Sequence, residues 1–102
     1  MLVLDVRERE ATAARYTPSR SARREAEGVV FTSDGHWDAV AGLVRVHERH
    51  ESGERLAEHD FVMRPWTEAE LGERLERAGW GEVEIGPGRE SRLLAVATLR
   101  AP

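Results

Sequence analysis

The stretch RPWTEAELGERLERAGWGEVEIG, Arg64 to Gly86, constrains this chain more than any other. Thr67 is a good N-cap residue and Glu70 stands three residues on, which makes a capping box. Trp66 precedes the cap and Leu71 holds the fourth helical position, so the two can staple the helix entry. Leu71, Leu75 and Ala78 follow at i, i+4 and i+7 and give one apolar stripe. Arg74 and Arg77 lie in the last turns, where positive charge complements the helix dipole. Gly79 provides a left-handed stop. The spacing predicts a helix over 67–78. EVEI then alternates with Val83 and Ile85 inward, GPG (Gly86 to Gly88) is a turn, and RLLAVATLR is a more continuously apolar strand. Strands are predicted at 82–86 and 92–100.

Upstream, LVLDV (Leu2 to Val6) is a short apolar run that suits a buried parallel strand. It follows Met1 directly, which reads as a chain entered midway. Arg7 to Tyr16 can make a short helix with a weak apolar face. Thr17 to Gly28 is polar, contains Pro18 and two serines, and reads as a mobile loop. VVF (Val29 to Phe31) is a strand, and SDG (Ser33 to Gly35) a turn. The segment from His36 to Glu51 fits two patterns. On a helix, Trp37, Val40, Val44 and His47 share a face. On a strand, Val44 and Val46 share one with Glu48 and His50. The valines and the adjoining turn signals favour the strand. After SGE (Ser52 to Glu54), LAEHDFVM alternates with Ala57, His59, Phe61 and Met63 on one face. Residues 29–63 therefore read as an antiparallel meander of three strands.

Length and charge narrow the function classes. At 102 residues the chain suits a single domain, 1–102, with one core; a domain this size buries roughly two thirds of its unfolded surface. Hydrophobic residues make up 40% and charged residues 33%, which suits a globular domain. The net charge of −4 and pI of about 5.6 argue against a nucleic-acid partner. No stretch has the length and apolarity of a membrane span, and the N-terminus lacks the plan of a signal peptide, so a cytoplasmic location is expected. There is no cysteine, which removes disulfides, thiolate zinc sites and cysteine nucleophiles. All 15 basic residues are arginine, which removes lysine Schiff-base chemistry.

RPWTEAEL, LERAGW, EVEI and RLLAVATL together resemble the end of class I S-adenosylmethionine-dependent methyltransferases. MLVLDVRERE resembles the fifth strand of that fold. Asp5, Val6 and Arg7 are similar to a segment of the glycine/sarcosine N-methyltransferase-like members, where an arginine holds the substrate carboxylate. FTSDGHWD (Phe31 to Asp38) and the meander resemble the antiparallel insertion over the acceptor pocket. The resemblance implies an α+β fold: a partial Rossmann-like sheet of strands 2–6, 82–86 and 92–100, the helix 67–78 on one face, and the meander as a flap. It covers only the C-terminal, acceptor-side half of a methyltransferase. The glycine-rich loop and strand-end carboxylate that hold the methyl donor have no match in this sequence. The cluster GWGEVEIGPG reads as turn chemistry.

The resemblance thus implies a methyltransferase-like fragment or subunit, inactive alone. It would have no cofactor of its own and would use S-adenosylmethionine only if completed by another chain. In that fold the fifth strand also pairs with a fourth, which is absent here. Leu2 to Val6 would then be a bare edge, covered by a homodimer or by a complementary methyltransferase N-terminal chain. Arg7 is the candidate anchor for a small-molecule acceptor. His47 and His59, with His50, are candidate bases if the meander lines a pocket. HERH sets His47 and His50 three apart, which suits a metal only on a helix, so no metal site is expected. Asp5, Glu8 and Glu10 with Arg7 and Arg9 read as a solvated ion-pair face, and Trp37, Trp66 and Trp80 as core. The alternative reading is a non-enzymatic dimeric module that binds a small ligand or a partner.

Overall fold

A computed structural model describes residues 1–99. The element order is β1 (Leu2–Arg7), α1 (Arg9–Arg15), β2 (Arg20–Ala26), β3 (Val29–Asp38), β4 (Leu43–Ser52), β5 (Arg55–Met63), α2 (Glu68–Arg77), β6 (Trp80–Pro87) and β7 (Arg92–Leu99). The chain divides into two compact units, one made of Met1–Thr12 with Pro65–Pro102 and the other of Ala13–Arg64. Among the described residues, no helix is long and apolar enough to cross a membrane.

The first unit is a three-stranded sheet in the order β1-β7-β6. Both pairings are antiparallel, with Leu4 opposite Ala95 and Ile85 opposite Ala95 on its other side. Leu2 to Val6 is therefore a strand as expected, but not a parallel one. A two-edged partner, β7, lies between it and β6. One face of the sheet presents Leu93, Ala95 and Ala97, each 5% exposed or less. Leu71 and Leu75 of α2 bury against this face, and Leu2, Leu4, Val6, Trp66, Trp80, Val83 and Ile85 surround them. The helix runs beside β6, and its leucines reach Leu93 and Ala95 of β7 in the same core. The opposite face is open: Val3 is 55% and Leu94 43% exposed. Among the described residues no strand pairs with the outer edge of β1.

The helix is built as its sequence indicates. The Thr67 hydroxyl oxygen accepts a hydrogen bond from the Glu70 amide, and the Glu70 carboxylate accepts one from the Thr67 amide. Gly79, at φ 95°, takes the left-handed position after the Ala78 cap. Ala78 itself is exposed, so the buried stripe ends at Leu75. Trp66 links this helix start to β1: its amide donates to the Arg7 carbonyl at 2.8 Å, and its carbonyl accepts from Arg9 at 2.9 Å.

The second unit is a four-stranded antiparallel sheet, β2-β3-β4-β5. The meander forms as expected over 29–63, and the ambiguous segment is a strand, β4. The stretch read as a mobile loop contains β2, which adds a fourth strand. Every residue of β2 is exposed, so it carries no apolar alternation to mark it. It is held by its ladder to β3 and by a two-residue turn in which Glu27 (φ 51°) and Gly28 (φ 80°) are both left-handed, the geometry that suits a tight hairpin. Val44 and Val46 are the buried centre of the sheet. Tyr16 lies over Gly35 so closely that a Cβ there would stand 2.7 Å from its ring.

Two substitutions test these two packing arguments separately. Thr67→Ala removes the cap and should cost about 1 kcal/mol. Gly35→Ala drives a methyl into Tyr16 and should cost about 1–3 kcal/mol by overpacking. Urea denaturation of each variant against the parent chain measures both losses.

Candidate functional site

The β4–β5 hairpin brings the titratable groups of the second unit together. Its turn has two residues, Gly53 and Glu54, with Gly53 left-handed at φ 60°. Ser52 therefore faces Arg55, and the ladder sets His47 opposite Asp60 and Glu48 opposite His59. Side chains alternate along a strand, so His47 projects from one face while Glu48 and His50 project from the other.

On the first face, His47 stands in a row between Asp34 of β3 and Asp60 of β5. Its Nδ1 lies 2.7 Å from Asp60 Oδ1, and its Nε2 lies 3.3 Å from Glu58 Oε2. The hydrogen bond to Asp60 raises its pKa above the ordinary 6.5, and the charges of Asp60, Glu58 and Asp34 reinforce the shift. Both ring nitrogens thus face carboxylates, which stabilises the imidazolium. The Asp60 carboxylate at Nδ1 also fixes the orientation of the ring. Beside it, Asp38 accepts hydrogen bonds from the Val40 and Ala41 amides, and its Oδ2 meets Arg45 Nε at 3.0 Å. The Ala41 amide, then Arg45, hold its carboxyl below the ordinary 3.8. An open cavity of about 450 Å³ lies here, lined by Asp34, His36, Arg45, His47, Asp60 and Val62 among others.

On the second face, His59 Nε2 lies 2.8 Å from Glu48 Oε1, and the His50 and His59 rings stack with centroids 5.8 Å apart. Phe31 flanks His50 at 4.8 Å and Phe61 flanks His59 at 5.9 Å. Among the described residues, Glu48, His50 and His59 are the group whose possible ligand atoms converge, all within 4.8 Å of one another.

The three sequence candidates fall in different units: Arg7 in the first, His47 and His59 in the second. Arg7 ends β1 in the first unit, half-buried, with its carbonyl bonded to Trp66. His47 and His59 share the second unit but lie on opposite faces of its sheet. The partners of His47, namely Asp34, Glu58 and Asp60, went unread in the sequence, as did the pairing of His59 with Glu48. A two-residue turn at Gly53-Glu54 would have given the register, and with it both groupings.

A donor site of the methyltransferase kind needs glycines where a strand turns into a helix, so that the backbone can approach the ligand. At the β1–α1 junction stands Arg7-Glu8-Arg9. The Glu8 carboxylate already accepts from the Glu10 and Ala11 amides at 3.0 and 2.8 Å. At the start of α2 stand Trp66 and Thr67. Gly79, Gly81, Gly86 and Gly88 lie after the helix and in β6 or its turn. These residues do not fit S-adenosylmethionine.

No protein-family model matches the sequence, and the search of curated proteins found no match. Among solved structures, the fold is similar to that of an S-adenosylmethionine-dependent methyltransferase from Clostridium acetobutylicum. The TM-score is 0.71 at 10% identity, over 97% of this chain and 44% of that one. The chain therefore has a methyltransferase-like fold and spans less than half the length of that enzyme.

The charge on His47 has a measurable consequence. Its ring should titrate above 6.5 by NMR, and Asp60→Asn should lower that pKa. A pKa raised by folding stabilises the folded state fully below the unfolded value and loses that contribution as pH rises through the folded value. The stability difference between the parent chain and Asp60→Asn should accordingly be larger at pH 6 than at pH 9.

Proposed function

We propose that this chain supplies the acceptor side of an S-adenosylmethionine-dependent methyl transfer and works only with a donor-binding half provided by further polypeptide. The observation that carries this reading is the one-sided sheet of the first unit. Among the described residues no strand pairs along the outer edge of β1, where the Trp66 amide meets only the Arg7 carbonyl at the strand's end, and the face opposite α2 leaves Val3 and Leu94 exposed. An unpaired edge and an uncovered apolar face both favour addition of more structure. Similarity to under half of a methyltransferase chain supports the same reading.

In this reading, catalysis is chiefly alignment of an acceptor nucleophile. Arg7 anchors an acceptor carboxylate, since a guanidinium matches that group in bidentate geometry. No step is assigned to His47, whose ring nitrogens are engaged. Self-association through β1, as a twofold dimer, covers the edge when the complementary chain is not bound. A second reading is favoured by the cavity beside His47, which lies wholly within the second unit. There the chain is a non-enzymatic module that binds a small polar ligand.

Calorimetric titration of the purified chain with S-adenosylmethionine should give no binding heat, and its solution mass should be that of a dimer. Val3→Lys, which places a charge beside the open edge, should shift the mass toward a monomer. Micromolar donor binding by the chain alone would overturn the acceptor-side reading. A monodisperse monomer of the parent chain would overturn edge pairing.

A further inference from the structure

We propose that Glu48, His50 and His59 form a binding site for a first-row divalent transition metal, of which Zn²⁺ is the reference ion. The inference concerns the second unit alone and is independent of the methyl-transfer reading.

Three features of the site support it. The first is the donor set. Two imidazoles and one carboxylate are ligands that suit zinc and its neighbours, whereas calcium and magnesium prefer all-oxygen sites. The second is distance. Zinc bonds of about 2.0–2.2 Å place adjacent ligand atoms roughly 3–3.5 Å apart. Glu48 Oε1 and His59 Nε2 already stand 2.8 Å apart, and the His50 donor completes a triangle within 4.8 Å. Modest rotation of His50 closes the set. The third is support. Glu48 and His59 are directly opposed across the β4–β5 ladder, and His50 follows Glu48 by two residues on the same face. The ligands thus stand on paired strands, which hold geometry better than loops. Phe31 packs beside His50 and Phe61 beside His59, which limits the rotation of the two rings.

With neutral imidazoles and one carboxylate the bound site carries a net charge of +1. Three protein ligands leave a fourth position for water or an anionic ligand, which is the plan of an open site and not of a closed structural one. The metal would tie β4 to β5 at mid-strand and stabilise the hairpin by binding the folded state alone.

The test is calorimetric titration of the untagged, chelator-treated chain with Zn²⁺, paired with the visible absorption spectrum of the Co²⁺ form. One equivalent should bind with micromolar affinity. His50→Ala and His59→Ala should each weaken binding by at least about tenfold. Each should also abolish the Co²⁺ bands that reflect low coordination number. Glu48→Gln keeps the size of the side chain while removing its charge and should weaken binding comparably, so lost affinity cannot be ascribed to a truncated strand. His36→Ala, on the other face of the sheet, should leave zinc affinity unchanged. Absence of stoichiometric binding would overturn the proposal. So would affinity that survives His50→Ala and His59→Ala in chains whose circular dichroism is unchanged.

Discussion

The register of β4 against β5 decides which charged groups of this protein meet. Side chains alternate faces with period two, so a slip of one residue would carry His59 to the face of His47 and Asp60 to that of Glu48. Both groupings would then dissolve. The two-residue turn at Gly53-Glu54 prevents this, because its left-handed glycine fixes Ser52 opposite Arg55. The burial of Val44 and Val46 reinforces the same choice, since these valines share a face with Glu48 and His50. One face thereby gathers His47 among carboxylates, and the other the His50–His59 pair with Glu48.

The first unit depends on β7 in a comparable way. It pairs along both edges and offers Leu93, Ala95 and Ala97 to α2. Partly buried side chains from β1 and β6 pack around this cluster. The result covers one face of the sheet only. The buried face carries the core of this unit, while the other face exposes Val3 and Leu94 beside the Asp5–Arg92 ion pair.

The two units were legible in the sequence to different degrees. The Thr67–Glu70 box, the Leu71 and Leu75 stripe and the Gly79 stop formed as their spacing indicates, because these signals are local and act within a few residues. Ala78 departs from the stripe: it is the exposed C-cap residue, beyond the last helical turn. Strand β2 was hidden because an exposed strand held by backbone ladders has no hydrophobic pattern to display. The antiparallel setting of β1 was hidden because a short apolar run fits either direction of pairing.

Sequence alone determined the capped helix, the strands that follow it, the meander and the absence of thiol and lysine chemistry, all of which rest on residue type and short-range spacing. It also marked Arg7, His47 and His59 as chemically capable. Only the tertiary structure decided their company. Cross-strand neighbours come from residues about ten apart in the chain, paired by a register that no single strand encodes. That pairing set His47 between Asp34 and Asp60, joined His59 to Glu48 and His50, and kept the two histidines on opposite sides of one sheet.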